Sequence, residues 1–315
     1  MRTEYPGANR ADIVIFYIIY CCFLLLGQFS RKSGFWIAEW VGRFWFAVDR
    51  RHRNVAIGNL MMVYGDSMPV TEIRRLARRV FCSLSKMVFE IGWNLRMCDV
   101  RLRREIRFQG LQHIYEAEKR GKGVLVLTAH FGNWELLLRA IGLVGFPVSA
   151  VYRPFDFKPL DMFFRHLRRR GGSKLYPKKR AMRKIIKGLG NNEFIGILLD
   201  QSSKVTTGVS VDFLGTPAGT SKGLALLAKS TGAPVIPAFL IRHEEYYTVR
   251  FEPALHFVDT GDKDSDIIEN TRIYNRIIES VILEYPEQWF WVHRRWKNRP
   301  ARRQGRKPAR SAGLG

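Results

Sequence analysis

Acidic residues are scarce in this chain, and ligands for metal chemistry are scarcer. Of 315 residues only 28 are Asp or Glu, against 52 Lys and Arg, a formal net charge of +24. That imbalance points to anionic partners: a phosphorylated substrate, acidic lipid, an acidic protein or nucleic acid. Four cysteines, Cys21, Cys22, Cys82 and Cys98, are too few and too irregularly spaced for a disulfide framework, and they fit a reducing compartment. There is no C-x-x-C, no H-E-x-x-H and no histidine cluster, so no metal site is expected. Helix-turn-helix, RNP and finger patterns are absent too, which argues against nucleic acid as the partner.

Long apolar runs are nearly missing, with one exception. Residues 13–29, IVIFYIIYCCFLLLGQF, carry no charge, and about seventeen residues is the lower limit for crossing a bilayer core of roughly 30 Å. The segment is expected to span or to insert at an angle. A cleaved signal peptide fits poorly, because Glu4 and Asp12 offset Arg2 and Arg10, no small-x-small site follows, and Arg31 and Lys32 come at once. Trp36, Trp40 and Phe44 then recur at four-residue spacing, with Ile37, Val41 and Trp45 one step round. Such a stripe suits a core helix, but next to an insertable segment and flanked by Arg43, Arg50 and Arg51 it reads as an interfacial membrane helix. Residues 1–48 are therefore assigned as a membrane anchor and 49–300 as the main domain, on the cytoplasmic side by the positive-inside tendency. Residues 301–315, ARRQGRKPARSAGLG, are expected to be a basic disordered tail.

Helical periodicity covers residues 55–62, 70–97, 111–119, 134–141, 159–170, 181–189, 221–230 and 267–283. Strand-like apolar runs interrupt it at 124–128, 147–152, 194–199, 234–240 and 246–252. The alternation predicts an α/β sandwich with a largely parallel sheet. In such sheets ligands gather at the carboxyl ends of the strands.

Two ionisable residues fall at such ends. In VLVLTAHFGNWELLL, residues 124–138, His130 follows a strand and precedes a helix N-capped by Asn133, while Asp200 closes FIGILLDQ. His130 and Glu135 are five apart and would point roughly 140° away from each other on a continuous helix. They can meet only across the turn that Gly132 permits. A carboxylate on one ring nitrogen would leave the other as a base, and helix-start N–H groups near Gly132 and Asn133 could hold an oxyanion or phosphate. A turn histidine and a glutamate suited to the helix dipole are the structural alternative, which the spacing alone leaves open. GTSKG, residues 219–223, fits G-x-S-x-G with Ser221 as nucleophile of a serine hydrolase, but FLGTPA rather than a buried strand precedes it.

HFGNWE resembles the H-x-G-N-W-E signature of the late acyltransferases of lipid A biosynthesis. The resemblance continues in order through VYRPFDFKPLD (151–161), RRRGG (168–172), LLDQ (198–201), VDFLGTPAGTSKGLALLAKSTGAPVIP (211–237) and PEQWFWVHRRWKNRP (286–300). It implies a glycerolipid-acyltransferase-like fold and an inner-membrane enzyme moving a fatty acyl group from an acyl carrier protein thioester to a hydroxyl of a lipid A precursor, an anionic phosphorylated glycolipid. It implies His130 as general base, Glu135 as its orienting carboxylate, Asp200 as a polar site residue, and Arg170 and Arg153 as basic substrate contacts. The same architecture also serves other lipid acceptors. A thioester already has a good leaving group, so no cofactor is expected. The acyl chain would use an apolar groove, for which WELLLRAIGLV and the aromatics of residues 35–48 are available.

Overall fold

The computed structural model describes residues 7–179 and 181–297; the tail expected over 301–315 lies outside them. Four helices come first: α1 (Arg10–Leu26), α2 (Arg31–Val48), α3 (Arg50–Tyr64) and α4 (Val70–Arg96). They are followed by α5 (Asp99–Glu105), β1 (Ile106–Gln109), α6 (Leu111–Glu118), β2 (Val124–Thr128), α7 (Trp134–Gly142), β3 (Val148–Tyr152), α8 (Lys158–Arg169), β4 (Lys174–Pro177), α9 (Ala181–Gly190) and β5 (Phe194–Leu198). The hairpin β6 (Gly208–Phe213) and β7 (Thr216–Ser221) leads to α10 (Gly223–Thr231), β8 (Val235–Arg242), β9 (Tyr247–Phe251) and α11 (Lys263–Glu284).

Seven strands form one sheet in the order β1-β9-β8-β2-β5-β3-β4, and its pairings are parallel except β8 with β9. β2 lies in the middle and is buried throughout, which is why it reads as a continuous aliphatic run rather than an alternating one. Its side chains still divide by the two-residue period. Leu125 and Leu127 face a core shared with α3, α4, α9, α10 and α11, while Val124 and Val126 face one shared with α6 and α7. Helices on both faces of a mostly parallel sheet make the expected α/β sandwich. Leu136, Leu137, Leu138, Ala140 and Ile141 of α7 all belong to the second core. The groove expected from WELLLRAIGLV is therefore not there: the periodicity of α7 is that of a helix packed on a sheet.

The N-terminal run is broken by a bend into two helices. α1 stops after 17 residues, and Ser30 caps a new helix whose axis turns by 116°. No single helix among the described residues is long and apolar enough to cross a membrane. α1 packs on α4 and α8, with Phe23 stacked on Phe163 at 4.6 Å. α2 lies so close along α4 that a Cβ on Gly42 would stand 2.4 Å from Cys82 Cα. Trp36, Trp40 and Phe44 face outward, at 66%, 57% and 67% exposure, while Phe35 and Ala38 face α4. Val14, Ile18 and Leu25 of α1 are exposed as well.

Candidate active site

Strand register brings the two sheet-edge residues together. Thr128 of β2 pairs with Leu198 of β5, and the ladder runs one bond further, from the Leu199 N–H to the Thr128 carbonyl at 3.1 Å. His130 and Asp200, each two positions beyond its paired residue, thus leave the sheet side by side. The Asp200 carboxylate is fully buried and accepts three N–H donors: His130 Nδ1 at 2.8 Å, the His130 backbone at 2.9 Å and Trp289 Nε1 at 2.8 Å. Burial by itself would raise its pKa. The charge and hydrogen bond of His130, with the charge of His293 and the Trp289 N–H, outweigh that and hold it below the ordinary carboxylate range.

An ionised carboxylate can only accept, so Nδ1 carries the proton and Nε2 keeps the lone pair that can accept one. That edge of the ring faces Gln201 Nε2 at 3.3 Å, between the rings of Trp134 and Phe290, whose centroids lie 5.1 and 6.0 Å away.

Glu135 does not orient His130. Its carboxylate is buried and held by Arg168 through two hydrogen bonds, Nε to Oε2 at 2.7 Å and Nη2 to Oε1 at 2.6 Å. The ring nitrogen it was expected to hold is already occupied by Asp200 from the neighbouring strand. A buried carboxylate and guanidinium each need the other, and Arg168, which lies over Phe164 at 5.4 Å, has its charged form favoured by Glu135 against the opposing effect of burial. Arg168, not Arg170, is the inward arginine of RRRGG. Arg170 is exposed at the C-cap of α8, and Arg153 is exposed beside Asp156 at 3.6 Å.

The turn itself is built as the spacing predicts. Gly132 has φ of 56°, and a Cβ there would stand 1.9 Å from the Leu240 carbonyl oxygen, so no other residue fits. Asn133 caps α7 by accepting from the Leu136 N–H at 3.0 Å, and its amide donates to Glu90 at 3.0 Å. Both ends of its side chain are thereby engaged inside the protein. The Gly132 N–H is engaged too, donating to the Gln288 carbonyl at 2.9 Å. With the Leu136 N–H taken by Asn133, the first-turn N–H groups of α7 without a partner among the described residues are those of Trp134 and Glu135.

Several supporting residues carry no motif of their own. Glu90 on α4 takes Arg242 bidentately at 2.5 and 2.9 Å, and Gln288 bonds the Arg242 backbone through both ends of its amide at 2.9 and 3.0 Å. Phe290 donates its N–H to the His130 carbonyl at 3.0 Å. The segment PEQWFWVH therefore clasps the turn from outside. Its density of tryptophan and its glutamine were the available signals. Ser221 lies at the end of an antiparallel hairpin, where its Oγ accepts the Gly223 N–H at 3.3 Å; it closes a local turn ahead of α10 and is not on a nucleophile elbow.

A buried carboxylate fixing an imidazole, whose hydrogen-bond partners Asp200 and Gln201 include no nucleophile, suits an enzyme that activates a hydroxyl of its substrate. Residues 8–298 match the family model for bacterial lipid A biosynthesis acyltransferase. The chain belongs to that family, and it is an acyltransferase. It is 25% identical over 298 residues to a lipid A biosynthesis acyltransferase of Haemophilus influenzae, covering 93% of this chain and 88% of that one. Two Escherichia coli relatives, a lipid A biosynthesis palmitoleoyltransferase and a lipid A biosynthesis lauroyltransferase, are 26% and 27% identical, each over 80% of this chain and over 80% and 81% of their own lengths. Among solved structures, a 1-acyl-sn-glycerophosphate acyltransferase of Thermotoga maritima is similar at a TM-score of 0.38 and 14% identity, over 82% of this chain and 99% of that one, a likeness too distant to bear on the site.

Proposed function

We propose that the chain transfers a fatty acyl group from an acyl carrier protein thioester to a hydroxyl of a phosphorylated lipid A precursor, at the cytoplasmic face of the inner membrane. The observation that carries this reading is His130 held through Nδ1 by buried Asp200 at 2.8 Å, with the Nε2 lone pair met by the Gln201 amide alone at 3.3 Å, just ahead of the start of α7. The acceptor hydroxyl gives its proton to Nε2 as its oxygen bonds to the thioester carbon. The tetrahedral oxyanion lies at the positive end of α7, and its collapse releases the thiolate, which recovers the proton from the imidazolium. Glu135 serves by holding Arg168 inward beside that helix start. The exposed apolar sides of α1 and α2 rest in the membrane interface, where tryptophan is favoured and a 116° bend lets two short helices lie in one plane. The general base contributes on the order of 10² to 10⁴ in rate.

The test is acyl transfer in washed membranes, with labelled acyl carrier protein thioesters of several chain lengths and lipid A precursor, lysophospholipid or water as acceptor. Labelling of the precursor that disappears in His130→Ala is expected. Equal turnover by that variant refutes the mechanism, and free fatty acid release indifferent to His130 would return the chemistry to Ser221.

A further inference from the structure

We propose that a cavity beside His130, separate from the first turn of α7, binds a phosphate ester of one of the two substrates; the proposal rests on the acyl-transfer reading above. The cavity has a volume of about 530 Å³. Gln201 and Phe290 form the wall nearest the base, and both face the His130 ring, Gln201 at 3.3 Å from Nε2. Whatever fills it is therefore close to the reacting atoms.

Its chemistry selects an anion. Arg51 on α3 and Arg294 and Lys297 beyond Phe290 line it, and no carboxylate does. None of the three forms an ion pair among the described residues, although the ion pairs of the fold engage many other arginines and lysines. Asp49, at the cap of α3, is taken up by His52 Nδ1 at 2.6 Å and Trp45 Nε1 at 3.0 Å.

Two buried polar atoms on the same wall lack a partner. Ser202 Oγ has none, and His293 donates from Nδ1 to the Phe290 carbonyl at 2.8 Å while Nε2 meets nothing. Both atoms are shut off from water as the side chains stand, so a ligand in the cavity meets them only when those side chains turn toward it. A phosphate ester has several acceptor oxygens for the guanidiniums and the ammonium. Two phosphate esters are candidates, the phosphodiester that links the thiol arm to the donor protein and the sugar phosphate of the acceptor.

The experiment uses the full chain in membranes with the variant Arg294→Gln/Lys297→Gln, both residues being exposed and outside the base machinery. KM and kcat are measured for each substrate with and without its phosphate: the acyl thioester of phosphopantetheine against that of pantetheine, and the acceptor before and after phosphatase treatment. For one of the two substrates KM should rise on the order of tenfold or more, as loss of charge-assisted hydrogen bonds implies, with kcat little changed. The rise should vanish with the phosphate-free form of that substrate, which identifies the source. Unchanged KM for both substrates, or a rise equally large without phosphate, overturns the proposal. If wild type itself shows no His130-dependent transfer, the acyl-transfer reading has failed; if it does and the variant matches it, only the phosphate site has.

Discussion

Replacing Asp200 with asparagine tests the site at its most constrained point. Three N–H donors converge on two carboxylate oxygens, two of them on Oδ2 and the third, His130 Nδ1, on Oδ1. An amide keeps the pair at Oδ2 by placing its oxygen there. Its NH2 then faces Nδ1, which must become an acceptor, and the ring proton moves to Nε2. That tautomer cannot take a proton from a hydroxyl. In hydrolases that use the same device, this substitution costs about 10⁴ in kcat, and a range of about 10² to 10⁴ here corresponds to about 2.7 to 5.4 kcal/mol of barrier. The assay is the initial rate of acyl transfer at saturating substrate, with KM recorded separately and expected to change little. Stability supplies a second readout. A carboxylate with a depressed folded pKa contributes stability that is complete above its unfolded value of about 3.9 and is lost as pH falls toward the folded one. The advantage of wild type over Asp200→Asn should thus shrink below about pH 4. A variant within about tenfold of wild-type kcat would refute the assignment of Asp200 as the group that sets the tautomer.

Three further outcomes follow from the geometry. Gly132→Ala places a Cβ against the Leu240 carbonyl in a left-handed conformation that alone costs about 1–2 kcal/mol; thermal unfolding in detergent should show a clear fall, and a Tm within about 2 °C of wild type would contradict the close approach. Arg168→Ala strands Glu135 and should destabilise by about 3–5 kcal/mol, toward the lower figure because the arginine keeps some solvent contact, whereas Arg153→Ala and Arg170→Ala should be silent in both melting and rate; adding Glu135→Gln to Arg168→Ala should recover much of the loss. Serine at Trp36, Trp40 and Phe44 together should reduce sedimentation with anionic vesicles while leaving the detergent melting temperature in place, and unchanged sedimentation would remove the outward face of α2 from the membrane.

How far the sequence reaches depends on whether the deciding interaction is local. β2, the Gly132 turn and the Asn133 cap follow from residues within a few positions of one another, and they stand where the pattern predicts. The partner of His130 does not. Glu135 is near in sequence, Asp200 is near only because Thr128 pairs with Leu198, and strand register across seventy residues leaves no trace in a motif. Likewise three consecutive arginines give no clue to which faces inward; the helix phase of α8 selects Arg168. The short edge strands β1 and β4 have too few residues to show alternation. The β6–β7 hairpin turns on Leu214 and Gly215, both with positive φ, where the sequence offers a leucine in place of the usual asparagine.

The clasp formed by residues 288–290 also sets an order of events during synthesis. The His130 carbonyl, the Gly132 N–H and the Asp200 carboxylate are each completed by groups that leave the ribosome long after β2 and β5. A nascent chain can therefore bury its central strands while the surroundings of His130 are still incomplete. The completed site arrives with the last of these elements, long after α1 to α4 have been made.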